Sequence, residues 1–268
     1  MNFDQEINGL CFDDVLLVPA DKSSVNTREK IFLSKKIGNP KNKEAWLELA
    51  FPIMIAPMEF ISSIEMLRSI IDFGGMGFVN RFQPLEKRLD QAKQLNGKAG
   101  FSININESKD VDLINKILSI GTKIILIDTA FSGTNISIEA TKHLRSIVSN
   151  NIHIMIGNVS TYQSYKYLMD AGADSVRIGI GGGAACTTRI KTGYGIPVLS
   201  SIDHIYNYVK HDEINGLISD GGIKDTGDIV KAFAAGASAV MMGSMFAGHN
   251  ECDGTIGQFR GLASYEMQ

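Results

Sequence analysis

Lys123-Ile-Ile-Leu-Ile-Asp128, a helically spaced interval from Ile136 to Val148, and then Ile152-His-Ile-Met-Ile-Gly157 decide the architecture of this chain. Both runs are near-continuous in apolar residues, as strands buried on two faces must be. The same unit recurs along the sequence. Six further runs match it: Phe51-Pro-Ile-Met-Ile-Ala-Pro57, Gly75-Met-Gly-Phe-Val79, Ala99-Gly-Phe-Ser-Ile-Asn-Ile105, Ser175-Val-Arg-Ile-Gly-Ile180, Gly216-Leu-Ile-Ser-Asp220 and Ala239-Val-Met-Met-Gly243. Helical spacing separates them, as from Tyr162 to Asp170. Strand and helix alternating eight times predict an α/β fold, a closed parallel (β/α)8 TIM barrel in a single domain. A doubly wound open sheet is the alternative. The length of 268 residues suits one such barrel. Residues 1–50 hold no barrel repeat and read as an amino-terminal extension, with no second domain or inserted regulatory domain.

Composition excludes several classes. The net charge of −3 offers no basic footprint for nucleic acid. No apolar run approaches the ~18 residues of a membrane span. The opening Met1-Asn-Phe-Asp-Gln-Glu lacks the charge and apolar block of a secretory signal. Cys11, Cys186 and Cys252 are too scattered for a disulfide framework and lack zinc-ligand spacing. A soluble protein of a reducing compartment, the cytoplasm, is expected.

One interval breaks the rhythm. From Gly181 to Ser201 there is little helical pattern before Ile202, and long irregular stretches inside a compact domain are usually functional. It contains Gly179-Ile-Gly-Gly-Gly-Ala-Ala-Cys186-Thr-Thr-Arg189. Glycines let a backbone approach a ligand closely, and a thiol on such a loop can serve as a nucleophile. The carboxyl ends of barrel strands carry the chemistry. Here they run Met58-Glu59, Asn80-Arg81, Asn104, Asp128-Thr129, Asn158, Gly181 leading to Cys186, Asp220-Gly-Gly222, and Gly243-Ser244. Turn formation alone accounts for some Asn, Asp and Gly at such places. The last two ends fit a phosphate site of backbone N–H groups and a helix start at Lys224–Asp228, with Asp220 accepting from ribose hydroxyls. Helix capping by Asp220 or Asp228 is the alternative. Among the histidines only His249 lies beyond a strand end, and a solvated turn is the competing reading. His143, His153, His204 and His211 look structural. Cys11 is expected to be a small buried hydrophobe, and Cys252 lies in a polar loop without an evident base.

These residues resemble the IMP dehydrogenase and GMP reductase family over nearly the whole chain. Cys11-Phe-Asp-Asp-Val-Leu-Leu-Val-Pro19 and Val25-Asn-Thr-Arg28 are similar to its opening segment. Asp128-Thr-Ala130 and Gly157-Asn-Val159 fit its strand ends, and Gly179 to Arg189 with Lys191-Thr-Gly193 fits its catalytic cysteine loop. Asp220-Gly-Gly222, Gly227-Asp228 and Met242-Gly-Ser244 fit its nucleotide site. The resemblance implies that Cys186 adds to C2 of a purine monophosphate and that hydride passes between that carbon and a nicotinamide. It implies Thr188 as the residue that positions water or ammonia. Asp220, Gly222, Gly243, Ser244, Met58 and Gly183 would bind substrate. Asp128, Thr129, Ala130, Asn158 and Arg81 would line the cofactor pocket. Carbonyls of Gly181, Gly183 and Cys186 would hold a monovalent cation such as K+. A homotetramer is implied in the same way.

The branch stays open. Absence of the inserted regulatory domains and Gly248-His249 with Glu251 resemble the reductase, which uses NADPH; Asp128-Thr-Ala130 and Met242-Gly-Ser244 resemble the dehydrogenase, which uses NAD. Four departures from the family pattern stand out. Ala184 replaces a phosphate-binding serine, Phe131-Ser132-Gly133 replaces a His- or Asn-glycine segment, and Met58-Glu59-Phe60 replaces Met-Asp-Thr. The sequence ends at Gln268, soon after Gly261-Leu-Ala-Ser264, before the positions of a mobile flap and a glutamate that partners the threonine. A shortened sequence, substitution by Glu251 or Glu266, and altered activity are the options. A reductase of GMP or a related guanine nucleotide is the leading reading. An IMP dehydrogenase is the second, and a purine-nucleotide-binding homologue without turnover the third.

Overall fold

A computed structural model describes residues 9–183, 186, 188–209 and 215–253. A short antiparallel pair comes first, β1 (Lys35–Ile37) with β2 (Leu47–Leu49). The repeat then runs β3 (Ile53–Ile55), α1 (Ile64–Asp72), β4 (Met76–Val79), α2 (Leu85–Gln94), β5 (Gly100–Ile103), α3 (Val111–Ser119), β6 (Ile124–Asp128) and α4 (Asn135–Ile147). It continues with β7 (His153–Val159), α5 (Tyr162–Asp170), β8 (Ser175–Ile178), α6 (Thr188–Thr192), α7 (Val198–Tyr208), β9 (Leu217–Asp220), α8 (Thr226–Ala234) and β10 (Ala239–Met242). Strands β3 to β10 close into one barrel, every neighbouring pair parallel, with β10 returning to β3. Each of the eight apolar runs is one of these strands, and the open-sheet alternative is excluded.

The sheet has two apolar faces, which is why its strands read as continuous rather than alternating. Ile125, Ile127, Ile154, Ile156, Val176, Ile178 and Val240 face outward and pack with Leu67, Ile114, Leu144, Leu168 and Ile202 of the helices. Met54, Met76, Leu126, Met155, Ile218 and Met241 face inward and fill the barrel with Phe78. Unbranched, polarizable methionine fills an irregular interior well. Ile37 and Leu49 of the antiparallel pair join this inner cluster and plug the barrel from below. Helix starts follow ordinary capping chemistry. Ser63, Asp110, Thr134, Thr161 and Asp225 each accept the N–H three residues on.

Three expectations need correction. The interval after Cys186 is more helical than its pattern suggested: α6 occupies Thr188–Thr192 and α7 begins at Val198, four residues before Ile202. Pro197 at the N-cap marks that start, a signal independent of periodicity. Cys11 is exposed, not a buried hydrophobe; the residue its turn buries is Phe12. The cap of α8 is Asp225, neither Asp220 nor Asp228.

Candidate active site

The strand period of two carries the inward columns upward from Leu126, Met155, Ser175 and Ile218 to Asp128, Gly157, Arg177 and Asp220. Asp128, Gly157 and Arg177 are register partners across β6, β7 and β8. Gly157 makes room for the arginine, because a Cβ there would lie 2.3 Å from Arg177 Cβ. Arg177 is 5 % exposed and bridges two carboxylates: Nη1 donates to Asp128 Oδ1 at 2.5 Å, and Nε and Nη2 donate to Asp220 Oδ2 at 3.0 and 2.7 Å. Burial opposes its charge, but the Asp220 and Asp128 carboxylates together outweigh burial and hold its pKa above the ordinary arginine value. Arg81 Nε donates to the other oxygen of Asp128 at 3.1 Å.

Asn158 completes the network. The β7–β8 register shifts between Gly157 and Val159, and such an irregularity re-aims a side chain. Its Nδ2 donates to Asp220 Oδ2 at 2.6 Å and to Gly179 O at 2.7 Å. Three bonds therefore converge on one oxygen of Asp220. Among the described residues Oδ1 of Asp220 has no protein donor, so it retains its capacity to accept from a ligand hydroxyl.

A cleft opens above this layer. It is lined by Cys186, Thr188, Asp220, Gly222, Gly243, Ser244, Met58, Gly183 and Gly181, and also by Asp128, Thr129, Ala130 and Asn158. Every residue that the family resemblance assigned to substrate, cofactor or cation lies on it except Arg81, which bonds Asp128. Glu59, Phe82, Arg177, Ile180, Gly221 and Ile223 line it too, without having been singled out for substrate or cofactor. Arg177 was legible in principle: an arginine at an inward position of an apolar strand needs carboxylate partners, and Asp220 ends the adjacent strand β9 while Asp128 ends β6, one strand beyond β7.

The cysteine loop is pinched at its base by an antiparallel bridge between Ile180 and Ile196. Glycines bring it against the Asp220 loop. Gly179 has φ +145°, and a Cβ there would sit 2.1 Å from Asp220 O; Gly221 has φ +90°, and its Cβ would sit 2.9 Å from Gly183 N. Only glycine permits this backbone-to-backbone approach. Cys186 N donates to Gly183 O at 3.0 Å, and its thiol donates to Thr188 Oγ1 at 3.3 Å. The thiol is thus half-buried, turned toward Thr188 and open to the cleft.

The rim expected to hold phosphate differs in detail from the expectation. The N-terminus of α8 is filled by its own acids: Asp225 caps it, and Asp228 accepts Lys224 N at 3.1 Å. The helical start at the cleft is instead the 3₁₀ turn Ser244–Phe246, whose first internal bond is Phe246 N to Gly243 O at 2.9 Å. That leaves the Ser244 and Met245 N–H groups ahead of the turn's own bonding, the arrangement that favours an anion. A Cβ on Gly243 would meet Met58 Sδ at 2.5 Å, so this rim is closely built.

Other polar strand ends serve turns. Asn80 Oδ1 accepts Phe82 N at 2.9 Å, and Asn104 Oδ1 accepts Glu107 N at 2.9 Å. His249 is exposed and lies off the cleft, with Nδ1 3.1 Å from Phe246 O. Glu251 is exposed, and its carbonyl accepts from Ser63 Oγ. Ala184 and Glu266 lie outside the described residues. Among the described residues no group of three or more His, Cys, Asp or Glu side chains converges as a metal site, and no helix is long and apolar enough to cross a membrane.

Comparison with known proteins decides the lineage. Residues 9–267 match the domain described as IMP dehydrogenase / GMP reductase domain. The chain belongs to the IMP dehydrogenase/GMP reductase family. It is 34 % identical over 262 residues to the GMP reductase of Buchnera aphidicola subsp. Acyrthosiphon pisum, covering 96 % of this chain and 73 % of that protein. It is 31 % identical over 252 residues to the GMP reductase of Serratia proteamaculans, covering 92 % and 71 %. It is 41 % identical over 146 residues to the inosine-5'-monophosphate dehydrogenase of Rhizobium tropici, covering 54 % of this chain and 29 % of that dehydrogenase. An oxidoreductase family acting on purine nucleotides with nicotinamide cofactors thus supplies the context for the cleft.

Proposed function

We propose that this chain is a GMP reductase-like enzyme, converting GMP or a related guanine nucleotide to IMP and ammonia at the expense of NADPH. The observation that carries the reading is one cleft lined by Cys186, Asp220, Gly222, Gly243 and Ser244, with one oxygen of Asp220 free of donors among the described residues. Alignment with GMP reductases over nearly all of this chain supports that branch.

In this reading the Gly222, Gly243 and Ser244 backbone holds the phosphate, with Met58 and Gly183 closing the substrate pocket. Asp220 Oδ1 accepts from ribose hydroxyls while Arg177 and Asn158 fix Oδ2. The Cys186 sulfur adds to C2 of the purine, and the bond from C2 to the amino nitrogen breaks, releasing ammonia. Thr188, already bonded to the thiol, positions the departing ammonia. Asp128, Thr129, Ala130 and Asn158 form the polar wall suited to a nicotinamide, with Arg81 holding Asp128 from behind. A bound nicotinamide supplies the hydride that C2 gains as the sulfur leaves. The fit of that wall rests on its polar groups: Thr129 Oγ1 bonds Ser132 Oγ at 2.7 Å and Gly157 O at 3.1 Å, which fixes the rim beside Asp128. Carbonyls of Gly181, Gly183 and Cys186 offer a place for K+. Gly183 O already accepts Cys186 N, which orders that turn.

The higher identity to a dehydrogenase segment favours a second reading, oxidation of IMP with NAD. Absorbance at 340 nm separates the two. A fall with GMP and NADPH, with IMP and ammonia formed, is expected. A rise with IMP and NAD supports the dehydrogenase, and nucleotide binding without turnover in either direction contradicts both. Assembly with copies of itself, as a tetramer in a reducing cytoplasm, belongs to the same proposal. The strongly exposed Leu16, Val18 and Phe32 of the amino-terminal segment and three free cysteines support it.

A further inference from the structure

The amino-terminal turn Phe12–Asp14 packs against α8 and the loop that follows β9. Phe12 is 4 % exposed, while Cys11, Asp13 and Asp14 beside it are exposed. Its ring faces Gly222: a Cβ on that glycine would lie 3.6 Å from the Phe12 ring edge. Its carbonyl accepts Lys231 Nζ at 2.8 Å, and Lys231 also reaches Asp228 Oδ1 at 3.3 Å. Asp13 pairs with Lys224 Nζ at 2.5 Å. One step earlier, Leu10 N donates to Ser200 Oγ at 2.7 Å on α7, the helix that leads out of the cysteine loop.

These contacts join residues some two hundred positions apart, and two of them land on the segment from Gly221 to Lys224, the Phe12 ring at Gly222 and Asp13 at Lys224. In that segment Gly221 and Gly222 have positive φ. A diglycine loop carries a large conformational entropy, which ligand binding must otherwise remove. A bulky ring held beneath it restricts it in advance. We propose that Phe12 is a positioning residue, an amino-terminal brace that holds the Gly221–Gly222 loop in its anion-accepting shape. The proposal rests on the nucleotide reading of the cleft for its ligand, but the brace itself is testable without one.

The full chain is compared with Phe12→Ala and Phe12→Leu by amide hydrogen exchange and by binding of GMP and of guanosine. In Phe12→Ala the amides of Gly221 to Lys224 exchange about tenfold faster, with those of β6 and β7 unchanged. GMP affinity falls about tenfold while guanosine affinity stays within about twofold, and Phe12→Leu restores most of the loss. Unchanged loop exchange in folded Phe12→Ala overturns the brace. So does an equal loss for GMP and guanosine, which marks general destabilisation. If Phe12→Ala does not fold, Lys231→Met, which removes only the tie to the Phe12 carbonyl and to Asp228, is read the same way. If the unaltered chain binds neither compound, the nucleotide reading fails, and the exchange result alone decides the brace.

Discussion

The two ends of this barrel both bury charge, and they do so to opposite effect. At the closed end, Asp174 accepts from Arg145, from Asn42 Nδ2 at 2.9 Å and from Ile154 N at 2.8 Å. Beside it His153 is bound through both ring nitrogens, to Ala45 O at 2.9 Å and Ser175 Oγ at 2.7 Å. Every one of those bonds ties strands, α4 or the segment between β1 and β2 together. At the open end, Arg177, Asp128 and Asp220 form an equally dense network, yet Asp220, Cys186 and Ser244 line a cleft, and one oxygen of Asp220 has no donor among the described residues. Buried charge by itself therefore marks structure. Unspent hydrogen-bonding capacity at the edge of a buried network marks the site.

The comparison predicts its own breaking points. The largest effect is on chemistry. Cys186→Ser replaces the proposed nucleophile by a much weaker one, and turnover should drop by at least about a thousandfold while GMP affinity stays within a few fold. Substantial residual turnover would make the thiol structural, like the groups at the closed end. Next comes Arg177→Met, which leaves Asp128 and Asp220 buried without their shared cation. A loss of about 3–5 kcal/mol in denaturant unfolding is expected, with nucleotide affinity lost as well. A stable variant that binds normally would show that the carboxylates do not depend on the arginine.

Asp220→Ala is expected to weaken nucleotide binding by about 1–3 kcal/mol, read by calorimetry. Normal affinity would remove Asp220 from the ligand. The smallest effect belongs to the closed end. Burial raises the Asp174 carboxyl to about 6, against Arg145 and Ile154 N, and lowers His153 to about 4. A raised Asp174 contributes stability that is full below its unfolded pKa near 4 and lost as pH rises through about 6. A lowered His153 contributes stability that is full above about 6.5 and lost as pH falls through about 4. The two oppose each other across one window, so unfolding of the wild type should vary little between those limits. Asp174→Asn should leave only the histidine slope, with stability rising toward neutral pH. A flat profile in that variant would contradict the assignment.

Much of this was legible in the sequence, because strands buried on two faces cannot hide their apolar runs. All eight appeared as such, and the strand ends at Met58, Asp128, Asn158, Asp220 and Gly243 gathered on one cleft. Arg177 escaped because it sits inside an apolar run, where the eye takes a strand and passes over the charge. Asn80 and Asn104 ended strands as expected but serve their own turns, since a side chain that satisfies a nearby backbone group looks the same in sequence as one that awaits a ligand. The start of α7 was missed because Pro197, not periodicity, sets it. The exposure of Cys11 and the burial of Phe12 depend on contacts some two hundred residues away, which no local pattern encodes.

The central claim is that the Cys186 sulfur and the anion-binding rim act on one bound nucleotide. A crystal of the protein soaked with GMP tests it most directly. The account predicts C2 within bonding reach of Cys186 Sγ, the ribose on Asp220 and the phosphate on Gly222, Gly243 and Ser244. A nucleotide bound elsewhere, or one in the cleft with its base turned away from the sulfur, would contradict it.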